Sequence, residues 1–202
     1  MPPFPDPERS VFINCPFDSD YEPLLRAIVL AVVCCEFVPR SAIETGSVAK
    51  PRLDRILEAV FSSRYSIHDL SRCKGQGDEG LARFNMPLEL GMVMARRHMA
   101  RDDHDWLVLV PEGHAYMSFV SDLAGIDPKR HDATPGRVVR SVMSWLATQL
   151  DHALPNDLPL RVLHLLPEFD TVWNDSKTAW GEIRWWSMVE EAQRIARKLQ
   201  AP

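Results

Sequence analysis

The sequence predicts an α/β fold: an open, mainly parallel sheet with helices on both faces, plus a C-terminal helical extension. Three observations predict it. Short apolar runs of strand type alternate with longer segments of helical spacing, at distances that suit strand–helix–strand units. Breaks such as Cys15-Pro16-Phe17-Asp18 and Pro111-Glu112-Gly113 punctuate them. The 202 residues, 46% hydrophobic and 25% charged, suffice for one domain with a sizeable core.

Residues 1–9 read as a flexible leader. Val11-Phe12-Ile13-Asn14 is a short strand, broken by a segment through Asp20 whose Asp and Ser residues suit a helix cap. The helix expected over 21–36 is apolar on most sides, the mark of a buried helix. Phe37 to Ile43 suits a second strand, with Pro39 placing it at an edge or a strand start. Pro51 opens a helix to Ser62, with Leu53, Ile56, Leu57 and Val60 at helical spacing. Arg64 to Leu70 is a third strand, and Cys73 to Leu81, with three glycines, is a loop. Asn85 caps a helix to Met99, and Trp106 to Val110 forms a fourth strand. Further helices are expected over Tyr116–Leu123, Pro135–Leu150 and Ser176–Leu199, the last amphipathic and carrying Trp180, Trp185 and Trp186. Leu160 to Leu166 suits strand and helix equally. The chain thus divides into a leader (1–9), a sheet domain (10–150) and a C-terminal extension (151–202).

A net charge of −5 and a pI near 5.8 give no long-range attraction for duplex nucleic acid. The longest apolar run, Ala27 to Cys35, is half of the ~20 residues a membrane span needs. The proline-rich start is unlike a signal peptide. Cys15, Cys34, Cys35 and Cys73 form no CxxC pair, and there is no HExxH. Neither a disulfide framework nor a metal site is expected, which suits a reducing cytoplasm. No GxGxxG or GxxxxGK occurs, so no standard dinucleotide or P-loop fingerprint is present and no cofactor is implied.

In an open parallel sheet, ligands lie at the carboxyl ends of the strands. That rule selects the loops 14–20, 69–85 and 111–116. Asp69 ends the third strand there, though a carboxylate at that place also suits a loop cap. Glu89 falls in the expected first turn of its helix, where the helix dipole favours an ionised carboxylate. Such a group can attack an anomeric carbon or hold a ribose hydroxyl, and it can equally be a capping Glu. Arg72 and Arg83 flank the loop and are placed to clamp a phosphate. Asn14, Phe17 and Asp18 form the first strand-to-helix turn; with Asn85 and Met86 they complete the candidate ligand contacts. His68 reads as a satisfied structural histidine, Cys73 as a bystander, and the tryptophans as core or interface residues.

This pattern resembles the nucleoside 2-deoxyribosyltransferases. Val11-Phe12-Ile13-Asn14, the Phe17-Asp18 turn, a strand ending at Asp69, and Leu88-Glu89-Leu90-Gly91 opening a helix carry the resemblance over residues 10–113. Those enzymes share a flavodoxin-like architecture with TIR domains. The resemblance implies that Glu89 is the glycosyl nucleophile, that Asp69 assists at the base, and that Phe17 and Asp18 wall the base site. The approach Gly80-Leu81-Ala82-Arg83-Phe84-Asn85-Met86-Pro87 departs from the family's acidic, glycine-rich one and suggests a phosphorylated ligand. Relatives include bacterial defence effectors that cleave N-glycosidic bonds, so such a role is implied by analogy. The expected function is therefore an N-glycosidic-bond enzyme, either a nucleoside deoxyribosyltransferase or a nucleotide or NAD glycohydrolase. The alternative is a non-catalytic nucleotide-binding or signalling module. Either is compatible with a homo-oligomer formed through the tryptophan-rich C-terminal helix.

Overall fold

The computed structural model describes residues 5–44, 49–72, 84–100, 103–113, 120–123, 125–177 and 184–199. The strands are β1 (Ser10–Asn14), β2 (Val38–Ser41), β3 (Tyr65–Asp69), β4 (Asp105–Pro111) and β5 (Lys129–His131). They form one all-parallel sheet in the order β2-β1-β3-β4-β5, the flavodoxin-like arrangement. Pro39 lies on the edge strand β2, where its missing N–H costs nothing. β5 was not foreseen. It has three residues, two of them exposed, and no apolar alternation to betray it.

The helices are α1 (Glu22–Cys34), α2 (Arg52–Phe61), α3 (Asn85–Ala100), α4 (Pro135–Leu146), α5 (Leu158–Asp175) and α6 (Trp185–Ala196). The ambiguous stretch 160–166 lies within α5. Its buried Leu158, Val162, Leu166, Phe169 and Trp173 fall on one helical stripe. The single helix expected over 176–199 is corrected: α5 ends at Asp175 and α6 begins at Trp185. The helix expected over 116–123 appears only as one 3-10 turn, Ser121–Leu123; residues 114–119 are outside the described set. The leader is corrected too. Pro7–Arg9 forms a 3-10 turn, and the Pro7 carbonyl accepts a hydrogen bond from Arg64 N–H at 2.9 Å, at the start of β3.

Strand alternation separates two layers. Val11, Ile13, Tyr65, Ile67, Leu107 and Leu109 face α1, α4, α5 and α6 and share one apolar core with them. Phe12, Val108 and Val110 face the other way, towards α2 and α3. Every residue of α1 from Leu24 to Val33 is buried, because α4, α5 and α6 all pack against it. Each such Leu, Ile or Val contributes about 1.5–3 kcal/mol. Ile28→Asp would break this layer by placing an unpaired carboxylate at a fully buried position. The C-terminal segment thus belongs to the main core. Trp185, expected in a core or an interface, is buried in this core and donates its indole N–H to the Pro39 carbonyl at 3.1 Å. Trp186 lies under the Arg40 guanidinium, 5.8 Å from the ring centre.

The end of α1 yields a first testable expectation. Phe37 N–H bonds to the Val32 carbonyl and Glu36 N–H to that of Val33, which makes a Schellman turn. Glu36 occupies its left-handed position, with φ of 66°. Its ion pairs, to Arg9 at 3.6 Å and His152 at 3.5 Å, are half-exposed and contribute little. Glu36→Gly should therefore raise the unfolding free energy by about 1 kcal/mol in urea titration, and Glu36→Ala should not.

Candidate functional site

The carboxyl ends of β1, β3, β4 and β5 form one polar crest, at Asn14, Asp69, Pro111 and His131. Cys15, just beyond β1, is buried in this crest. Burial pushes its thiol well up, and so do the carboxylates of Asp69, Glu89 and Asp18 around it. Asp69 and Glu89, expected as a chemical pair, both lie near enough to Cys15 to act on its charge. Cys15 itself stays protonated and unreactive.

Asp69 is fully buried, and both of its oxygens are occupied. Oδ1 accepts from Ser71 N–H at 2.7 Å and from the Ser71 hydroxyl. Oδ2 accepts from the Tyr21 hydroxyl at 2.6 Å and meets His131 Nε2 at 3.0 Å. The tautomer of His131 follows from its other nitrogen. Nδ1 accepts from Ala133 N–H at 3.1 Å, so the ring proton sits on Nε2 and is given to Asp69. Ser71 Oγ also lies 3.4 Å from Nε2. Ser71, His131 and Asp69 still do not make a nucleophilic triad. In a triad the serine and the acid bind opposite nitrogens of the ring, whereas here both crowd Nε2. Asp69 therefore joins β1's following turn, β3 and β5. Burial and the Asp69 charge beside it hold the Tyr21 phenol well above its ordinary range.

Glu89 differs in kind. It is the fifth residue of α3, beyond the first turn, so the expected dipole stabilisation at the helix start is corrected. It is 4% exposed. Burial pushes its carboxyl up to about 7, against smaller opposing effects of Arg52 and a hydrogen bond with Asn85. Asn85, expected as a cap, is the first residue of α3, and its side chain serves Glu89 instead.

Asn14 is buried on the α2–α3 side of β1. It donates to His68 Nδ1 at 2.9 Å and to the Met86 carbonyl at 3.0 Å. His68 is a satisfied core histidine, as the sequence suggested, and burial lowers it to about 3. Met86 was expected at the ligand. Its side chain instead packs with Leu70, Leu90, Val108, Val110 and Leu123, and only its carbonyl meets the site. Arg72, expected as a phosphate clamp, is turned towards Asp18. Its Nε and Nη2 bind Asp18 at 3.2 and 3.0 Å, which occupies its fork. Asp18 also accepts from Tyr21 N–H at 3.0 Å. Phe17 is at the rim, 36% exposed. Arg83 lies outside the described residues.

Tyr21 and His131 were missed. Tyr21 stood in what looked like plain helix, and His131 in an unrecognised strand. A search for donors able to reach a strand-end Asp would have raised both. Among the described residues no helix is long and apolar enough to cross a membrane, and no His, Cys, Asp and Glu group is arranged to hold a metal ion.

The fold and crest define an α/β protein of flavodoxin-like strand order whose carboxyl-end crest holds two buried carboxyls of opposite character. No family model matches the sequence, and no curated protein matches it.

Proposed function

We propose that this chain is an enzyme acting on the N-glycosidic bond of a nucleoside, nucleotide or NAD, with Glu89 as its catalytic group. The observation that carries the reading is Glu89 itself: a carboxyl buried at the carboxyl-end crest and pushed up to about 7. A group near neutral pH is suited to proton transfer, and its ionised form is a stronger nucleophile than an ordinary carboxylate. In the proposed step, Glu89 attacks the anomeric carbon or stabilises its oxocarbenium ion. The bond to the base breaks, and its electron pair leaves with the base. Water or a second base then takes the sugar.

Asp69 takes a different role from the one first expected. With both oxygens bonded it is a positioning residue, which holds Tyr21, Ser71 and His131 around the crest. That same saturation favours the second reading, a nucleotide-binding module without chemistry, because it leaves one carboxyl for catalysis. Incubation with nucleosides, nucleotides and NAD, followed by chromatography for free base, separates the two. Glu89→Gln should lower release by a factor of about 100 or more. Ligand binding with no free base from any of these compounds would favour the binding module.

A further inference from the structure

A buried chain of side chains runs from the crest along β3 towards the opposite end of the sheet, and each link has one direction. The Met86 carbonyl only accepts, so Asn14 Nδ2 donates to it at 3.0 Å. The other Nδ2 hydrogen goes to His68 Nδ1 at 2.9 Å, so that nitrogen carries no proton. His68 Nε2 therefore donates to Ser66 Oγ, at 2.9 Å. The Ser66 hydroxyl donates to His104 Nε2, also at 2.9 Å, because His104 Nδ1 gives its proton to the Ser63 carbonyl at 3.0 Å. Asn14, Ser63, Ser66, His68 and His104 are all buried.

The chain starts and ends on backbone carbonyls, neither of which passes a proton on. It is therefore no proton path. What it does fix is the rotation of the Asn14 amide. Both Nδ2 hydrogens are used, which leaves Oδ1 buried at the crest and, among the described residues, without a hydrogen-bond partner. Buried acceptors are normally satisfied, and leaving one unmade destabilises a fold. Here the hydrogen bonds of five other groups, from the Met86 carbonyl to the Ser63 carbonyl, hold the amide in that orientation.

We propose that Ser66, His68 and His104 are positioning residues that hold Asn14 Oδ1 as an acceptor for one N–H or O–H of the ligand. This rests on the reading above for the ligand class only, not for the chemistry. Calorimetry with adenosine and three analogues tests it: purine riboside lacks the amine, 2′,3′-dideoxyadenosine the ring hydroxyls, and 5′-deoxyadenosine the primary hydroxyl. In the unaltered protein one analogue should bind about 10-fold more weakly than adenosine. His68→Leu and the milder Ser66→Ala should shrink that ratio towards 1. His68→Asn, whose amide oxygen falls near the Nδ1 position, should restore it. Imidazole 15N spectra of the unaltered protein should show His68 protonated on Nε2 and His104 on Nδ1. Opposite tautomers, equal affinity for all four compounds, no binding of any of them, or a ratio unchanged in His68→Leu would each overturn the proposal. Discrimination without base release would sink the catalytic reading alone. Base release without discrimination would sink this inference alone.

Discussion

Glu89→Gln should melt well above the unaltered protein at pH 8 and together with it at pH 4. In the folded chain Glu89 is pushed up to about 7, from an ordinary value of 4.5. Between those two values the folded state keeps a proton that the unfolded state has released. The contribution of Glu89 to stability is therefore fully present below about pH 4.5. It falls as pH rises through 7 and stays lost above that. The gap in pKa corresponds to roughly 3 kcal/mol at most. Glutamine has the same shape and no charge to desolvate, so it escapes this loss. For a chain of this size the gain at pH 8 is roughly 6–12 °C in melting temperature. The same substitution should lower base release by about 100-fold or more. In the unaltered protein kcat/KM should climb through pH 7 as Glu89 ionises. A stabilised but inactive variant is the signature of a strained functional group. Calorimetric scans at pH 4, 6 and 8 decide the matter, and identical melting at pH 8 would refute the burial argument.

Asp69→Asn should do the opposite, with a loss of about 2–4 kcal/mol in urea titration. The reason is geometric. Ser71 N–H points at one carboxylate oxygen, and His131 Nε2–H at the other. The Ser71 and Tyr21 hydroxyls can turn to accept, but those two N–H groups cannot. His131 is fixed because Ala133 N–H occupies its other nitrogen. Whichever way an asparagine amide turns, its NH2 group meets a donor. A carboxylate reserved for chemistry would behave differently: its amide would fold normally and only turnover would suffer. Stability unchanged in Asp69→Asn would therefore return Asp69 to the catalytic role first expected of it.

The contrast between these two carboxyls was not legible in the sequence, although both residues were. Asp69 was found because a strand-end carboxylate in a parallel sheet has a known place. Glu89 was singled out because its tripeptide was expected in the first turn of a helix, whereas it stands just beyond that turn. Their surroundings come from distant parts of the chain. Tyr21 lies 48 residues before Asp69, and His131 hangs from a three-residue strand with exposed neighbours. Arg72 looked free because its partner, Asp18, is 54 residues away. Apolar spacing revealed α1, α2 and β1 to β4 to within a few residues. It failed for β5, which is too short to alternate. It was ambiguous for α5, whose stripe continues past Leu166 to Phe169 and Trp173.

The enclosure of α1 by α4, α5 and α6 has a consequence for how the chain comes into being. α1 leaves the ribosome well before the helices that cover it, α4, α5 and α6. Its partners lie more than 100 residues downstream, so the contacts that stabilise it have high contact order. At roughly 5–20 residues per second, its apolar surface waits on the order of ten seconds before α6 arrives. During that interval the nascent chain can cover α1 only on the face it turns to the sheet.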